Sequence, residues 1–131
     1  LAVPPARNLD SKNARAGRSN VYQAKCDVCH KPNDTTGQQY PIAELAGQKI
    51  WPYTDLALHD MGEDLADNVT ENSATGREWK TPPLWGLGLR RLYKSDAVYL
   101  HDGRAQSIEE AILWHGGEAT ASQQHFTQLD A

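Results

Sequence analysis

Two cysteines and a histidine stand within residues 26–30, and this short segment constrains the fold more than any other feature. Cys26 and Cys29 are separated by two residues, and His30 follows directly. At this spacing both thiols can bond to one haem while the next imidazole reaches its iron. Because the covalent anchors and an axial ligand come from one turn of chain, the other residues have to fold around a large flat group. The motif predicts a c-type cytochrome domain with one covalently bound haem c.

Two other uses of the same residues are open. A Cys-x-x-Cys pair can be a dithiol redox site, but that use expects a strand before the motif, and residues 14–25 look helical. Alternatively, Cys26, Cys29 and His30 could join another histidine on zinc. Zinc sites usually take their ligands from two separated pairs, and the sequence has no second cysteine pair. Haem attachment is therefore the favoured interpretation.

Composition excludes several partners. The net charge of −4 over 131 residues gives no basic surface for nucleic acid, and no apolar run approaches the roughly 18 residues that cross a bilayer. We therefore expect neither nucleic acid binding nor a membrane span. Both cysteines belong to the motif, so none remains for a disulfide. Haem attachment of this kind takes place outside the bacterial cytoplasm, so we predict a periplasmic protein whose export signal was removed or lay upstream of Leu1.

The distribution of turn-forming residues predicts one domain between two polar ends. Residues 1–14 carry prolines and asparagines with little periodicity, which is typical of an arm or linker. We assign residues 15–119 to the cytochrome c domain and residues 120–131 to a C-terminal tail. Prolines and glycines interrupt the domain. The expected fold class is mainly α and cytochrome c-like, with short helices and long loops around the haem.

Local signals predict two helices. Apolar or small residues recur at helical spacing from about Arg15 to Cys29, which places the motif at the end of that helix, and Pro32 helps to stop it. Ser107 stands three residues before Glu110, a capping-box spacing that predicts a helix from Ser107 to about His115. The face of this second helix that includes His115 is predicted to point inward.

An iron held by His30 on one side needs a sixth ligand, and several candidates are open. They are Met61, His59, His101, His115, His125 and solvent. Met61 is favoured because it is the only methionine and precedes Gly62, in a turn that can direct a thioether across the haem. His59 is the closest rival, since a small shift of the loop would exchange it with Met61. His115 is expected to be a hydrogen-bonded core histidine.

The ligand set decides the predicted function. Histidine with methionine raises the reduction potential and leaves no open position for a substrate, which suits electron transfer. An open or displaceable sixth position would suit peroxide reduction instead. A third possibility is a sensory or structural haem domain in which ligand exchange alters contacts with a partner. No nucleophile paired with a base is recognisable in the sequence.

Four segments behind the motif resemble a known family. They are YTDLALHDMG at 53–62, EWKTPPLWGLG at 78–88, YLHDGR at 99–104 and EEAILWHGGEA at 109–119. Together they resemble the C-terminal haem domain of di-haem oxidoreductases related to bacterial cytochrome c peroxidase. The resemblance covers most of residues 15–119. It implies the electron-transfer module of a di-haem, peroxidase-like oxidoreductase.

The resemblance also implies roles for individual residues. Cys26 and Cys29 would anchor the haem, with His30 as the proximal and Met61 as the distal ligand. Four residues of the second segment would line the haem edge: Thr81, Pro82, Leu84 and Trp85.

Two departures from the family pattern imply partners. The chain has one haem motif where the family has two haems, so we expect a redox partner protein or a second haem domain. Family members also continue into a further apolar helix after the fourth segment, so the chain looks like a piece of a longer protein. Loss of that helix would leave apolar surface near Val21 and Tyr22, which predicts a possible homodimer.

Overall fold

The computed structural model describes residues 8–129, and its first element is helix α1, Lys12–Gln23. The hydroxyl of Ser11 accepts a hydrogen bond of 3.1 Å from the N–H of Ala14, so Ser11 is the N-cap. The helix ends before the haem motif because Lys25 adopts a left-handed conformation with φ of 59°. The helix therefore begins and ends earlier than the predicted Arg15 to Cys29.

Two small antiparallel sheets follow α1. Strand β1, Asp34–Thr35, pairs with β2, Lys49–Ile50. Strand β3, Leu58–Asp60, pairs with β4, Glu78–Lys80, and His59 stands opposite Trp79. The second sheet fixes the chain on both sides of residues 61–77, a segment that begins with the predicted ligand Met61.

Three short helices form the C-terminal half. They are α2, Arg90–Tyr93, α3, Ile108–Leu113, and α4, Thr120–Thr127. Ser107 is the N-cap of α3, as predicted, since its hydroxyl accepts a hydrogen bond of 2.9 Å from the N–H of Glu110. The Glu110 carboxylate accepts a hydrogen bond of 2.7 Å from the N–H of Gln106, one residue before the cap. The helix itself ends two residues before the predicted His115.

Short 3₁₀ turns connect these elements. They are Cys26–Val28, Ala43–Leu45, Glu63–Leu65, Leu87–Leu89 and Gly117–Ala119. The last of them leads into α4, so the segment predicted to be a polar tail includes a helix. The side-chain amide of Gln123 in α4 donates a hydrogen bond of 3.2 Å to the carbonyl of Leu113, which holds α4 against the end of α3. Most of the predicted arm, residues 1–7, lies outside the described residues.

The predicted mainly α, cytochrome c-like fold class is wrong. Residues 8–129 have 37% helix and 11% strand, with two small antiparallel sheets. The helical pattern before the motif stops early, and residues 58–60 form strand β3, which pairs with β4 at residues 78–80. Seven prolines and ten glycines keep the helices short, and backbone hydrogen bonding is partly satisfied between strands instead.

The core is thin and consists mostly of small side chains. The buried apolar residues are Ala24, Leu65, Ala97, Tyr99 and Ala105. Among residues 8–129 no large side chain is fully buried, while Val28, Leu56 and Leu58 are each more than half exposed. A chain with so little side-chain packing of its own gains most from a large apolar group that it can enclose. Nowhere in residues 8–129 is a helix both long and apolar enough to cross a membrane.

Candidate functional site

The motif lies on a turn of its own between α1 and β1. The 3₁₀ turn Cys26–Val28 begins after the left-handed Lys25, and the N–H of His30 donates a hydrogen bond of 2.9 Å to the carbonyl of Cys26. Both cysteines are free thiols and half-buried. The tight turn therefore places the two thiols and the imidazole on one compact segment, although not at the end of a helix as predicted.

The His30 imidazole has a fixed tautomer. Its Nδ1 lies 3.0 Å from the carbonyl oxygen of Tyr53, and a carbonyl can only accept a hydrogen bond, so Nδ1 carries the proton. Burial lowers the pKa of His30, an effect opposed by the Tyr53 carbonyl and reinforced by His115, so the neutral ring is favoured. A neutral imidazole held in this way has its lone pair on Nε2, which is the usual state of a histidine that binds a metal.

The two thiols lack the electrostatics of a reactive dithiol. Burial raises the pKa of Cys26, and the Asp27 carboxylate adds to this effect. Burial also raises the pKa of Cys29, reinforced by Asp55 and Glu118. Dithiol redox sites depend on a lowered thiol pKa, so these surroundings oppose the dithiol interpretation. No strand precedes the motif within the described residues, which opposes it as well.

His59 forms a bridge between two carboxylates. Its Nε2 lies 3.0 Å from Asp55 and its Nδ1 lies 2.9 Å from Glu118. The hydrogen bond to Glu118, followed by that to Asp55, raises the pKa of His59. Because carboxylates accept hydrogen bonds from both ring nitrogens, His59 is held as an imidazolium without a lone pair for iron. His59 was the closest alternative to Met61 as sixth ligand, and both of its ring nitrogens are therefore already occupied by carboxylates.

The Asp55 carboxylate, at one end of this bridge, is held ionised. Burial is the largest single influence on the pKa of Asp55 and would raise it, but hydrogen bonds from the Ala57 N–H, His59 and Thr81 together outweigh burial and lower the pKa to about 2. Asp55 lies two residues after Tyr53, whose carbonyl holds His30. The bridge thus fastens this segment to Glu118.

Met61 is half-buried in a turn after β3. Its N–H donates a hydrogen bond of 2.9 Å to the carbonyl of Arg77, and Gly62 follows with φ of 81°. The Met61 carbonyl oxygen lies so close to Gly116 that a Cβ there would stand 2.9 Å from it. These contacts place the Met61 backbone against the Gly116–Gly117 segment, and the role of Met61 as distal ligand stays a prediction.

Two of the four predicted haem-edge residues brace the segment that holds His30. Thr81 is buried, and its N–H donates a hydrogen bond of 2.9 Å to the carbonyl of Ala57. The hydroxyl of Thr54 donates a hydrogen bond of 2.7 Å to the carbonyl of Thr81. Leu84 donates its N–H to the carbonyl of Pro52 at 2.9 Å. The second segment of the family resemblance therefore lies alongside residues 52–57.

The other two predicted haem-edge residues are nearer the surface. Pro82 is exposed, and Trp85 is 37% exposed just before the turn at Gly86. A haem-edge role for all four residues stays a prediction. Within residues 8–129 no group of three or more His, Cys, Asp or Glu side chains is placed to hold a metal ion, so the zinc interpretation gains no support there.

His115, expected from the sequence to be a core histidine, lies close to His30. The two ring centroids are 6.5 Å apart, with planes inclined by 46°. The Nδ1 of His115 lies 2.7 Å from the carbonyl oxygen of Ala111, one helical turn earlier. The position of His115 just beyond α3 and before two glycines was visible in the sequence, but its approach to His30 depends on long-range contacts.

The two remaining histidines have structural contacts. The ring of His101 stacks on Trp79 with 3.6 Å between centroids and an angle of 11° between planes. Trp79 in turn donates its indole N–H to the carbonyl of Leu65 at 3.0 Å. The Nδ1 of His125 in α4 lies 3.3 Å from the carbonyl oxygen of Gln23, at the end of α1. Neither contact gives these rings the arrangement found at His30.

The residues of the motif fit a haem. Two thiols that flank one turn, followed by a neutral imidazole with Nε2 free to bind, have the donor chemistry of a haem-attachment site. The family model described as "di-haem oxidoreductase, putative peroxidase" matches residues 1–131, the whole chain. The chain belongs to the di-haem oxidoreductase family, which confirms the resemblance found in the sequence. The family implies haem cofactors and a redox role. No curated protein and no solved structure matches the chain.

Proposed function

We propose that the chain is a c-type haem domain, in which Cys26 and Cys29 would hold one haem c through thioether bonds and His30 would be its proximal ligand. The observation that carries this proposal is the hydrogen bond of 3.0 Å between His30 Nδ1 and the Tyr53 carbonyl oxygen. It fixes the lone pair on Nε2 in the residue that directly follows the second cysteine. When bound, the haem would supply a one-electron couple at its iron.

The surrounding residues prepare the site for this role. The carbonyl of Tyr53 accepts a hydrogen bond from the Nδ1–H of His30. This bond orients the imidazole and makes its Nε2 a stronger metal ligand. Residues on both sides of Tyr53 are tied down, since Thr54 bonds to Thr81 at 2.7 Å and Asp55 bonds to His59 at 3.0 Å. A ring held by a fixed segment loses little freedom when it binds a metal.

The task that we propose is electron transfer within a di-haem, peroxidase-like oxidoreductase. The sequence predicts His30 and Met61 as the two axial ligands, and methionine favours the reduced state. Any second protein ligand closes the position that a substrate would need, so the proposal does not depend on which side chain fills it. The family description favours one other function, peroxide reduction at an open or displaceable sixth position.

Partners and location complete the proposal. The family is di-haem and these 131 residues carry one Cys-x-x-Cys-His motif, so a second haem domain or a redox partner protein would exchange electrons with this one. Covalent haem attachment supports a periplasmic location. Tyr22 is 44% exposed on α1, which supports the predicted homodimer contact near Val21 and Tyr22.

Covalent attachment is tested by producing the chain together with a haem-attachment system. Acidified acetone should leave the pigment on the protein, and a denaturing gel should stain for haem at the mass of the chain. The matched control replaces both cysteines, Cys26→Ser with Cys29→Ser, and should release its pigment under the same treatment. A wild-type protein that is colourless, or that loses its pigment to acetone, would contradict the proposal.

Electron transfer is separated from peroxide reduction with the reduced haem protein. We expect it to exchange electrons with a small redox dye, to leave carbon monoxide unbound and to consume no hydrogen peroxide, because both axial positions are filled by protein. Rapid carbon monoxide binding together with peroxide turnover would favour the peroxidatic alternative.

A further inference from the structure

The clearest feature outside the predicted ligand set is the pair of imidazoles His30 and His115. They come from distant parts of the chain, one from the turn after α1 and the other from the end of α3, yet their centroids are 6.5 Å apart. Two imidazoles at this separation are suited to share a metal.

The two rings are held in the same way. The Nδ1 of His30 lies 3.0 Å from the Tyr53 carbonyl oxygen, and the Nδ1 of His115 lies 2.7 Å from the Ala111 carbonyl oxygen. Since both partners are acceptors, both rings carry their proton on Nδ1 and their lone pair on Nε2. The described residues provide no hydrogen-bond partner for either Nε2. A lone pair on Nε2 is the state in which a histidine usually binds a metal.

The separation of the rings suits a shared metal ion. A metal–imidazole bond of about 2.0 Å plus a ring radius of roughly 1 Å places the centroids of two opposed ligands about 6 Å apart. The observed 6.5 Å lies within about half an ångström of this value. Direct ring stacking, as between His101 and Trp79 at 3.6 Å, would bring the centroids much closer. His30 and His115 are therefore spaced for a metal and not stacked on each other.

We infer that His115, and not Met61, is the sixth ligand of the haem iron. This inference rests on the proposed function, because it needs a haem held by the motif. The backbone of Met61 lies next to the residue that follows His115, because the Met61 carbonyl lies against Gly116. Its hydrogen bonds fix the main chain alone, whereas the Ala111 carbonyl fixes the ring of His115 itself. Two imidazoles as axial ligands give a lower reduction potential than histidine with methionine.

The test compares four oxidised holoproteins of the full chain: wild type, His115→Ala, Met61→Leu and His115→Met. The wild type should have a low-spin spectrum without the weak far-red band of a methionine–iron bond, and Met61→Leu should leave it unchanged. His115→Ala should become high-spin, and added imidazole should restore the low-spin spectrum. His115→Met should acquire the far-red band and a higher midpoint potential.

Each other result overturns the inference. A far-red band in the wild type that Met61→Leu removes would assign the ligand to Met61 and leave the haem-domain proposal intact. A wild-type spectrum that His115→Ala leaves unchanged would exclude His115 as the sixth ligand and would also leave the haem-domain proposal intact. Absence of covalent haem in the wild type would overturn the proposed function and the inference together. Circular dichroism of each variant, with the imidazole rescue, separates loss of a ligand from loss of the fold.

Discussion

The contact between Gly117 and the turn after β3 gives a prediction whose size follows from the geometry. Gly117 has φ of 53°, and a Cβ at this position would overlap the carbonyl oxygen of Asp60 and stand 2.6 Å from the nitrogen of Gly62. Both obstacles are backbone atoms, so neither can turn aside as a side chain could. Gly117→Ala therefore has to shift the main chain on one side of the contact.

Substitutions at two other glycines distinguish the cost of the backbone clash from the cost of the left-handed conformation. Gly86 has φ of 73° but open space within 4 Å of where a Cβ would stand, so Gly86→Ala carries the left-handed penalty alone, about 1 kcal/mol after the lower entropy of the unfolded chain is included. Gly17 lies inside α1 with nothing within 4 Å, so Gly17→Ala should stabilise by about 0.5 to 1 kcal/mol. Gly117→Ala adds a backbone clash of roughly 2 kcal/mol to the left-handed penalty, which makes about 3 kcal/mol in total.

Urea unfolding followed by circular dichroism measures the three differences, and thermal midpoints should change by roughly 4 °C for each kcal/mol. The expected order of stability is Gly17→Ala above wild type, then Gly86→Ala, then Gly117→Ala. If Gly117→Ala unfolded at the same urea concentration as Gly86→Ala, the close approach of Gly117 to the turn after β3 would be refuted.

Two further predictions concern the elements on either side of His115. The pKa of His59 is raised, chiefly by its bond to Glu118, so the stability that this pair contributes is complete below the ordinary imidazole pKa of about 6.5 and is lost as the pH rises through the raised value. Relative to His59→Gln, the wild type should therefore lose stability as the pH rises from about 6.5 through the raised pKa of His59 in urea titrations, and parallel curves would contradict the bridge. Ser107→Ala should destabilise the protein by about 1 kcal/mol, because the N–H of Glu110 loses its 2.9 Å acceptor, whereas Ser107→Asp should retain most of the stability. Equal losses in both variants would exclude the capping role.

The sequence predicted features that depend on neighbouring residues. The cap at Ser107 follows from a spacing of three residues, and the haem motif follows from a spacing of two. Membership of the family could also be predicted from the sequence, because its four segments are continuous stretches of chain. Each of these signals can be recognised without knowing how the chain folds back on itself.

Features built from distant residues could not be predicted in the same way. The pairing of β3 with β4 joins residues 58–60 to residues 78–80, and either segment alone fits more than one conformation. The bridge from Asp55 through His59 to Glu118 spans even more of the chain. Mainly helical content was expected because the haem motif and the helical pattern before it indicated a cytochrome c-like fold. The helix has in fact ended before the motif, where Lys25 is left-handed.

The choice between Met61 and His115 illustrates why the sequence favoured the first. A lone methionine after a haem motif is conspicuous, while a histidine at the end of a helix is ordinary until its neighbours are known. The fold places both residues in touching segments, because the Met61 carbonyl lies against Gly116. The two side chains then differ in the conformational entropy that each loses when it binds the iron. A methionine side chain gives up roughly 1.5 to 2 kcal/mol of rotational freedom when it is fixed. The ring of His115 is already fixed by its 2.7 Å bond to Ala111, so ligation asks less of it.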